Sequence, residues 1–187
     1  MIINLRGTSG AGKSTVVRRV VEHYDGGVTP IFVEGRHQPL ACLCNSINHR
    51  SLYVPGHYNT AAGGCDTLKT IDQVYELVEA AAETGHDVLF EGIMFQDGRL
   101  SRFMEFYRKW NPTVIELTTS IQECLAGVQE RRDARGDLRP LDPKNTIARA
   151  ERVRRGCSRI RDAGGKVLKL DREAAYQECL RVLGWRE

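Results

Sequence analysis

The 187-residue chain carries 27 Lys and Arg against 24 Asp and Glu, a net charge of +3. With 41% hydrophobic and 27% charged residues it reads as one soluble globular domain, 1–187, large enough to bury a full core. No apolar run approaches ~20 residues, which excludes a helical membrane span, and the first residues read as a strand rather than a secretion signal. A cytoplasmic address is expected. The six cysteines are scattered and form no C-x-x-C pair, so reduced thiols are expected.

Ile2, Ile3 and Leu5 read as a buried strand that runs into Gly7-Thr8-Ser9-Gly10-Ala11-Gly12-Lys13-Ser14-Thr15. This stretch fits the phosphate-loop pattern G-x-x-x-x-G-K-[ST] at every fixed position, and the stripe Val16, Val17, Val20, Val21 leads out of it as a helix. Glycines let the backbone curl so that successive N–H groups point at phosphate oxygens, and the helix N-terminus adds about half a positive charge. Residues Gly7 to Thr15 are therefore expected to cradle a nucleoside triphosphate. Lys13 should reach the β- and γ-phosphates and Ser14 should ligate Mg²⁺.

Asp25-Gly26-Gly27 is a turn, and Pro30–Val33 reads as a second strand ending in Glu34-Gly35-Arg36. Charged groups past a strand's C-terminal end face the ligand crevice of an open α/β sheet, which makes Glu34 and Arg36 site candidates. Residues 38–70 lack clear periodicity and read as a substrate-facing insertion. Ile71, Val74, Leu77, Val78 and Ala81 recur at helical spacing, with Gly85 closing the helix. Asp87–Gly92 is a short buried strand ending in Glu91, the place for a carboxylate that acts on Mg²⁺; a proton acceptor or a structural anchor are the other readings of Glu91.

Leu100, Phe103, Phe106 or Tyr107, and Trp110 mark an amphipathic helix stopped before Asn111-Pro112. Thr113–Leu117 is a fourth strand, and Ser120 caps the next helix. From Glu130 to Arg161 eleven Arg and Lys stand against five acids. The first part, 131–145, reads as a mobile lid whose Arg131, Arg132 and Arg135 could clamp a transferring phosphoryl group. A basic helix over 146–163, a strand at 166–170 and a terminal helix from Glu173 complete the chain. The alternation predicts an α/β P-loop NTPase fold, a three-layer sandwich around a mostly parallel sheet of about five strands.

There is no N-K-x-D guanine motif, and the chain is too short for an ABC-type ATPase. The phosphate loop followed by an arginine-rich lid resembles the nucleoside and nucleotide kinases of the thymidylate-kinase-like or adenylate-kinase-like group. Four segments are similar, more narrowly, to bacteriophage P-loop kinases: Val54-Pro55-Gly56-His57-Tyr58, Gly63-Gly64-Cys65-Asp66-Thr67, Phe90-Glu91-Gly92 and 139–146. Some of these act on 5-hydroxymethyl-deoxyuridine within phage DNA, a step toward hypermodified thymidines.

The resemblance implies that ATP is the donor, with Mg²⁺, and that DNA containing hydroxymethylated pyrimidine is the partner. Glu34 or Asp66 would accept the proton of the attacking hydroxyl. Arg131, Arg132 and Arg135 would offset charge on the γ-phosphate, and 149–161 would hold the DNA backbone. The target base would be flipped or single-stranded, with Tyr53, His57 or Tyr58 stacked on it. A kinase of a free nucleotide or small alcohol, and a non-catalytic nucleotide switch, are the competing readings.

Overall fold

The computed structural model describes residues 1–58, 64–92, 100–137 and 139–185. Its centre is β1 (Ile2–Arg6), every residue of which is buried. β1 pairs in parallel with β5 (Asp87–Glu91) on one side and β6 (Thr113–Leu117) on the other. β7 (Val167–Leu170) extends the sheet beyond β6, again in parallel. Continuous apolar runs such as Val88-Leu89-Phe90 suit strands covered on both faces.

Among the described residues the sheet has seven strands rather than the expected five, with β2 (Val28–Ile31) at one edge and β7 at the other. The two additional strands, β3 (Ala41–Cys44) and β4 (Leu52–Pro55), lie inside the 38–70 stretch that read as irregular. Four-residue apolar runs are too short to show a period, so pairing rather than pattern creates them. β4 runs parallel to β5, whereas β3 is antiparallel to β4 and to β2. Pro30, which has no N–H for a ladder, is accommodated because β2 is the sheet edge.

Two helical layers cover the sheet. α1 (Lys13–Val21) and α6 (Arg172–Leu183) bury Val16, Val17, Val20, Ala175 and Cys179 with Leu5, Val54 and Leu89 on one face, where α4 (Ile121–Asp133) adds Cys124. On the other face α2 (Ile71–Glu83), α3 (Leu100–Trp110) and α5 (Pro143–Asp162) bring Val74, Tyr75, Phe103, Phe106 and Ile160 onto Ile2, Val88 and Phe90. Phe103 and Phe106 of α3 are therefore core, with Tyr75 and Phe90 each edge-on to Phe106, while Tyr107 and Trp110 pack against that core partly buried. Among the described residues no helix is long and apolar enough to cross a membrane.

Helix ends follow local chemistry. Ser120 and Glu123 form a reciprocal capping box on α4, while Thr70, Asp142 and Asp171 cap α2, α5 and α6 with their side chains. α4 reaches Asp133, so Arg131 and Arg132, expected in a loop, occupy its last turn. Past Gly127, inside α4, no glycine or proline follows until Gly136, whose φ of +66° ends the turn. Of the expected lid, residues 134–137 and 139–142 lie outside helices, and Leu138 is outside the described residues.

Five cysteines, 42, 44, 124, 157 and 179, are buried and Cys65 is partly so; all six are free thiols. Burial pushes Cys44 and Cys179 up to about 12 and Cys157 to about 11.

Gly10 fixes how α4 meets the phosphate loop. With φ at +80° it leaves no space for a side chain, since a Cβ would stand 2.0 Å from the Cys124 carbonyl oxygen. Gly10→Ala should therefore destabilise the fold by ~1–3 kcal/mol. Calorimetry would read this as a Tm fall of roughly 2–4 °C per kcal/mol, and an unchanged Tm would contradict it.

Candidate active site

The phosphate loop connects the C-terminal end of the central strand to α1, and its backbone is held from outside by side chains. Thr119 Oγ1 (2.9 Å) and Arg172 Nε (3.2 Å) both donate to the Ala11 carbonyl, and Thr8 Oγ1 donates to the Thr146 carbonyl (3.1 Å). Arg149 donates to Ser9 Oγ at 2.9 Å. Gly12, at φ +91°, takes the N-cap position of α1 and brings no capping side chain. The first N–H groups of α1 thus lack intrahelical partners, which is the arrangement that takes up phosphate oxygens. Lys13 Nζ meanwhile donates to the Thr8 carbonyl at 3.1 Å.

Lys13 stands between two cavities. One, of about 390 Å³, lies between the loop and α4 and is lined by Gly10, Gly12, Ser14, Thr15, Glu123, Gly127, Arg131 and Arg172 among others. The second, of about 660 Å³, opens on the other side and is lined by Gly7, Thr8, Ser9, Asp66, Leu68, Lys69, Ile71, Val74, Glu91, Arg149 and Arg152 among others. Lys13 lines both.

Glu91, at the end of β5, is the most constrained polar group between them. It is 5% exposed; Oε1 accepts from Ser14 Oγ at 2.9 Å, while Oε2 has no partner among the described residues. Burial pushes its carboxyl above the ordinary glutamate range, an effect that Lys13 and Ser14 oppose and Asp66 reinforces. Gly64, φ +78°, makes room for it, since a Cβ there would stand 2.0 Å from Oε1. The buried Tyr58 hydroxyl, also without a partner among the described residues, lies against the same glycine, and burial with the nearby Glu91 charge holds it well above the usual tyrosine range.

A half-paired carboxylate beside a serine hydroxyl suits a hard divalent cation such as Mg²⁺, which takes one or two protein oxygens and completes its shell with water and phosphate. Among the described residues no three His, Cys, Asp or Glu converge, so such an ion would draw its remaining oxygens from outside the protein.

The other expected site residues separate into two groups. Asp66, in a 3₁₀ turn over Cys65–Thr67, is exposed and lines the larger cavity. Arg131 is half-buried in the wall of the smaller one, where desolvation and Arg135 lower its pKa and Glu91 and Asp66 oppose that. Arg135 is exposed beyond the end of α4. Arg36 reaches the site indirectly, donating to the Thr67 carbonyl at 3.1 Å beside Asp66.

Glu34, by contrast, is exposed on the turn between β2 and β3 and lines neither cavity. β2 is four strands from β1, about 19 Å at ~4.8 Å per strand. Nor are the expected stacking residues brought to the cavities. Tyr53 is core, His57 is buried with Nε2 at 2.7 Å from Gln38 Oε1, and Tyr58 packs against the α1 layer. Gly63 and its neighbours 59–62, part of the segment that carried the resemblance, lie outside the described residues.

Sequence reasoning passed over Arg172 and Lys69 as individual residues. Arg172 stands two residues past the end of β7, and the rule that singled out Glu34, position past a strand's C-terminal end, applied to it equally.

Residues 2–155 match the family model described as an AAA domain. The chain belongs to this family of P-loop kinases. Over 184 residues it is 36% identical to the "5-hmdU DNA kinase" of Pseudomonas phage PaMx11, an alignment covering 97% of this chain and 96% of that protein. It is 24% identical to the "5-hmdU DNA kinase" of Bacillus phage SP10; this alignment covers 99% of the present chain but only 29% of that longer protein. Among solved structures it is similar to deoxyadenosine kinase from M. mycoides with bound dATP, at a TM-score of 0.48 and 12% identity over 97% of this chain and 96% of that one.

The raised pKa of Glu91 makes a stability prediction for the metal-free protein. A carboxyl whose folded pKa lies above its unfolded value favours the fold at low pH, and that contribution is lost as pH rises through the folded pKa. Glu91→Gln, neutral throughout, should raise Tm at pH 7–8 in EDTA and lose the advantage on acidification. A Tm below wild type at neutral pH would contradict the assigned cause.

Proposed function

We propose that this chain is an ATP-dependent kinase that phosphorylates the hydroxymethyl group of 5-hydroxymethyluracil in phage DNA, acting in the cytoplasm of the infected host. The observation that carries the reading is the position of Lys13 in the shared wall of two cavities, one for a donor and one for an acceptor. A switch needs only the first. The names of the two phage relatives, one aligned along nearly its whole length, support the acceptor.

ATP would place its phosphates on the Gly7–Thr15 backbone and its nucleoside toward α4 and Arg172. Lys13 swings from the Thr8 carbonyl onto the β- and γ-phosphates. Ser14 and Glu91 would hold Mg²⁺, which when bound neutralises charge on the phosphates. The acceptor hydroxyl gives its proton to Asp66 while its oxygen attacks the γ-phosphorus. The bond from that phosphorus to the bridging oxygen breaks, and ADP departs. Arg131 faces the developing charge from α4, and Arg135 adds to the same field from the surface. Arg36 positions Asp66 through Thr67.

The test is transfer of γ-³²P from ATP to single-stranded DNA containing 5-hydroxymethyluracil, with the free nucleoside and nucleotide in parallel. Labelled polymer is expected; label in monomer alone would overturn the polymeric acceptor, and label in neither would overturn the kinase. Lys13→Ala should cost at least ~100-fold in kcat, comparable to losing a transition-state donor. Asp66→Asn should cost far more than Glu34→Gln, and the reverse order would exchange the assigned base.

A further inference from the structure

The basic α5 does not present one uniform surface. Arg149 and Arg152 line the larger cavity with Asp66, whereas Arg154 points the other way, into a third cavity of about 320 Å³ with Glu116 and Lys169. Helical geometry explains the split, since residues 152 and 154 are separated by ~200° around the axis. Lys69 stands on the same large cavity from the start of α2.

α2 covers β4 and β5, and α5 covers β6 and β7, so Lys69 and Arg152 approach from opposite sides of the central strand. Both side chains are exposed, and neither forms an ion pair among the described residues. Arg149, by comparison, already donates to Ser9. Leu68, Ile71 and Val74 supply apolar side chains to the lining of the same cavity. None of the described lining residues is aromatic.

We infer that Lys69 and Arg152 form a two-sided clamp that grips the phosphates on either side of the target nucleotide, while its base enters against Leu68, Ile71 and Val74. The inference rests on the reading that the acceptor is DNA. A monomer carries one phosphate and calls for one cation; a nucleotide inside a strand carries a phosphate on each side of its sugar, as the two cations do of the cavity. The clamp holds the backbone at the mouth and lets only the base descend toward Lys13, so the preferred substrate is an internal residue of a single or locally opened strand. The two cations make affinity depend on the charge of the backbone and hence on salt.

The experiment compares kcat and KM for the free nucleoside, its 5′-monophosphate, and a trinucleotide with the target in the middle, at several salt concentrations. Wild type should gain with each added phosphate, about tenfold or more in kcat/KM for the trinucleotide over the monophosphate. Lys69→Ala and Arg152→Ala should each raise KM for the trinucleotide about tenfold with little change in kcat. Each should also flatten the slope of log affinity against log salt by ~0.7, the loss of one single-strand phosphate contact. Arg152→Lys should restore most of the affinity, and Arg154→Ala should leave KM and slope at wild-type values. If the trinucleotide is labelled well but neither variant alters KM or slope, or if Arg154→Ala acts as strongly, the clamp is overturned while the DNA reading stands. If wild type labels only monomers, both fall together.

Discussion

The arrangement of this protein depends on leaving a few backbone N–H groups unpaired. A helix start without partners is costly when buried, and most helices here avoid that with a capping side chain: Thr70, Ser120, Asp142 and Asp171 each accept from the turn they begin. Among the α-helices whose N-cap is described, α1 is the exception. Gly12 offers nothing, and the side chains around the loop donate to it rather than accept from it. Thr119 and Arg172 take up the outward carbonyl of Ala11 and keep the inward N–H groups available. The surrounding elements hold open a deficit that phosphate then fills.

The same logic extends outward from the loop. β1 delivers it from the fully buried centre of the sheet, and β5 delivers Glu91 beside it in register, Leu5 being paired with Glu91 itself. Because the two strands are locked by their ladder, the serine that opens α1 and the carboxylate that ends β5 meet without any flexible connection. The larger cavity is walled differently. Asp66 sits on a short turn held by one hydrogen bond from Arg36 on the β2–β3 turn, whereas the phosphate loop and Glu91 are fixed by a strand ladder.

That difference matches what could be read from the residues alone. The phosphate loop, Glu91 at a strand end and the succession of helices were legible because each follows a local rule: a fixed spacing, a buried run, a 3.6-residue period. The hairpin strands β3 and β4 were not, since four apolar residues become a strand only when a neighbour pairs with them. Glu34 was singled out by the correct rule applied to the wrong strand. β2 does end at the proper side of the sheet, but its place at the edge follows from the unseen β3 and β4 that separate it from the centre. Tyr53 and His57 look like recognition residues in a loop and turn out to be interior ones for the same reason. Arg172 escaped notice because its partner, the Ala11 carbonyl, is 161 positions away.

The thiols have a practical consequence. With five of six cysteines sealed in the interior and their deprotonation suppressed, a thiol-reactive dye finds little to modify while the molecule is closed. Cys124 lies directly behind the Gly10 turn and Cys179 under α1, so the speed at which they become modifiable reports how often the nucleotide half breathes open. The interior sulfurs thus act as a built-in clock for conformational opening, available without introducing any foreign probe.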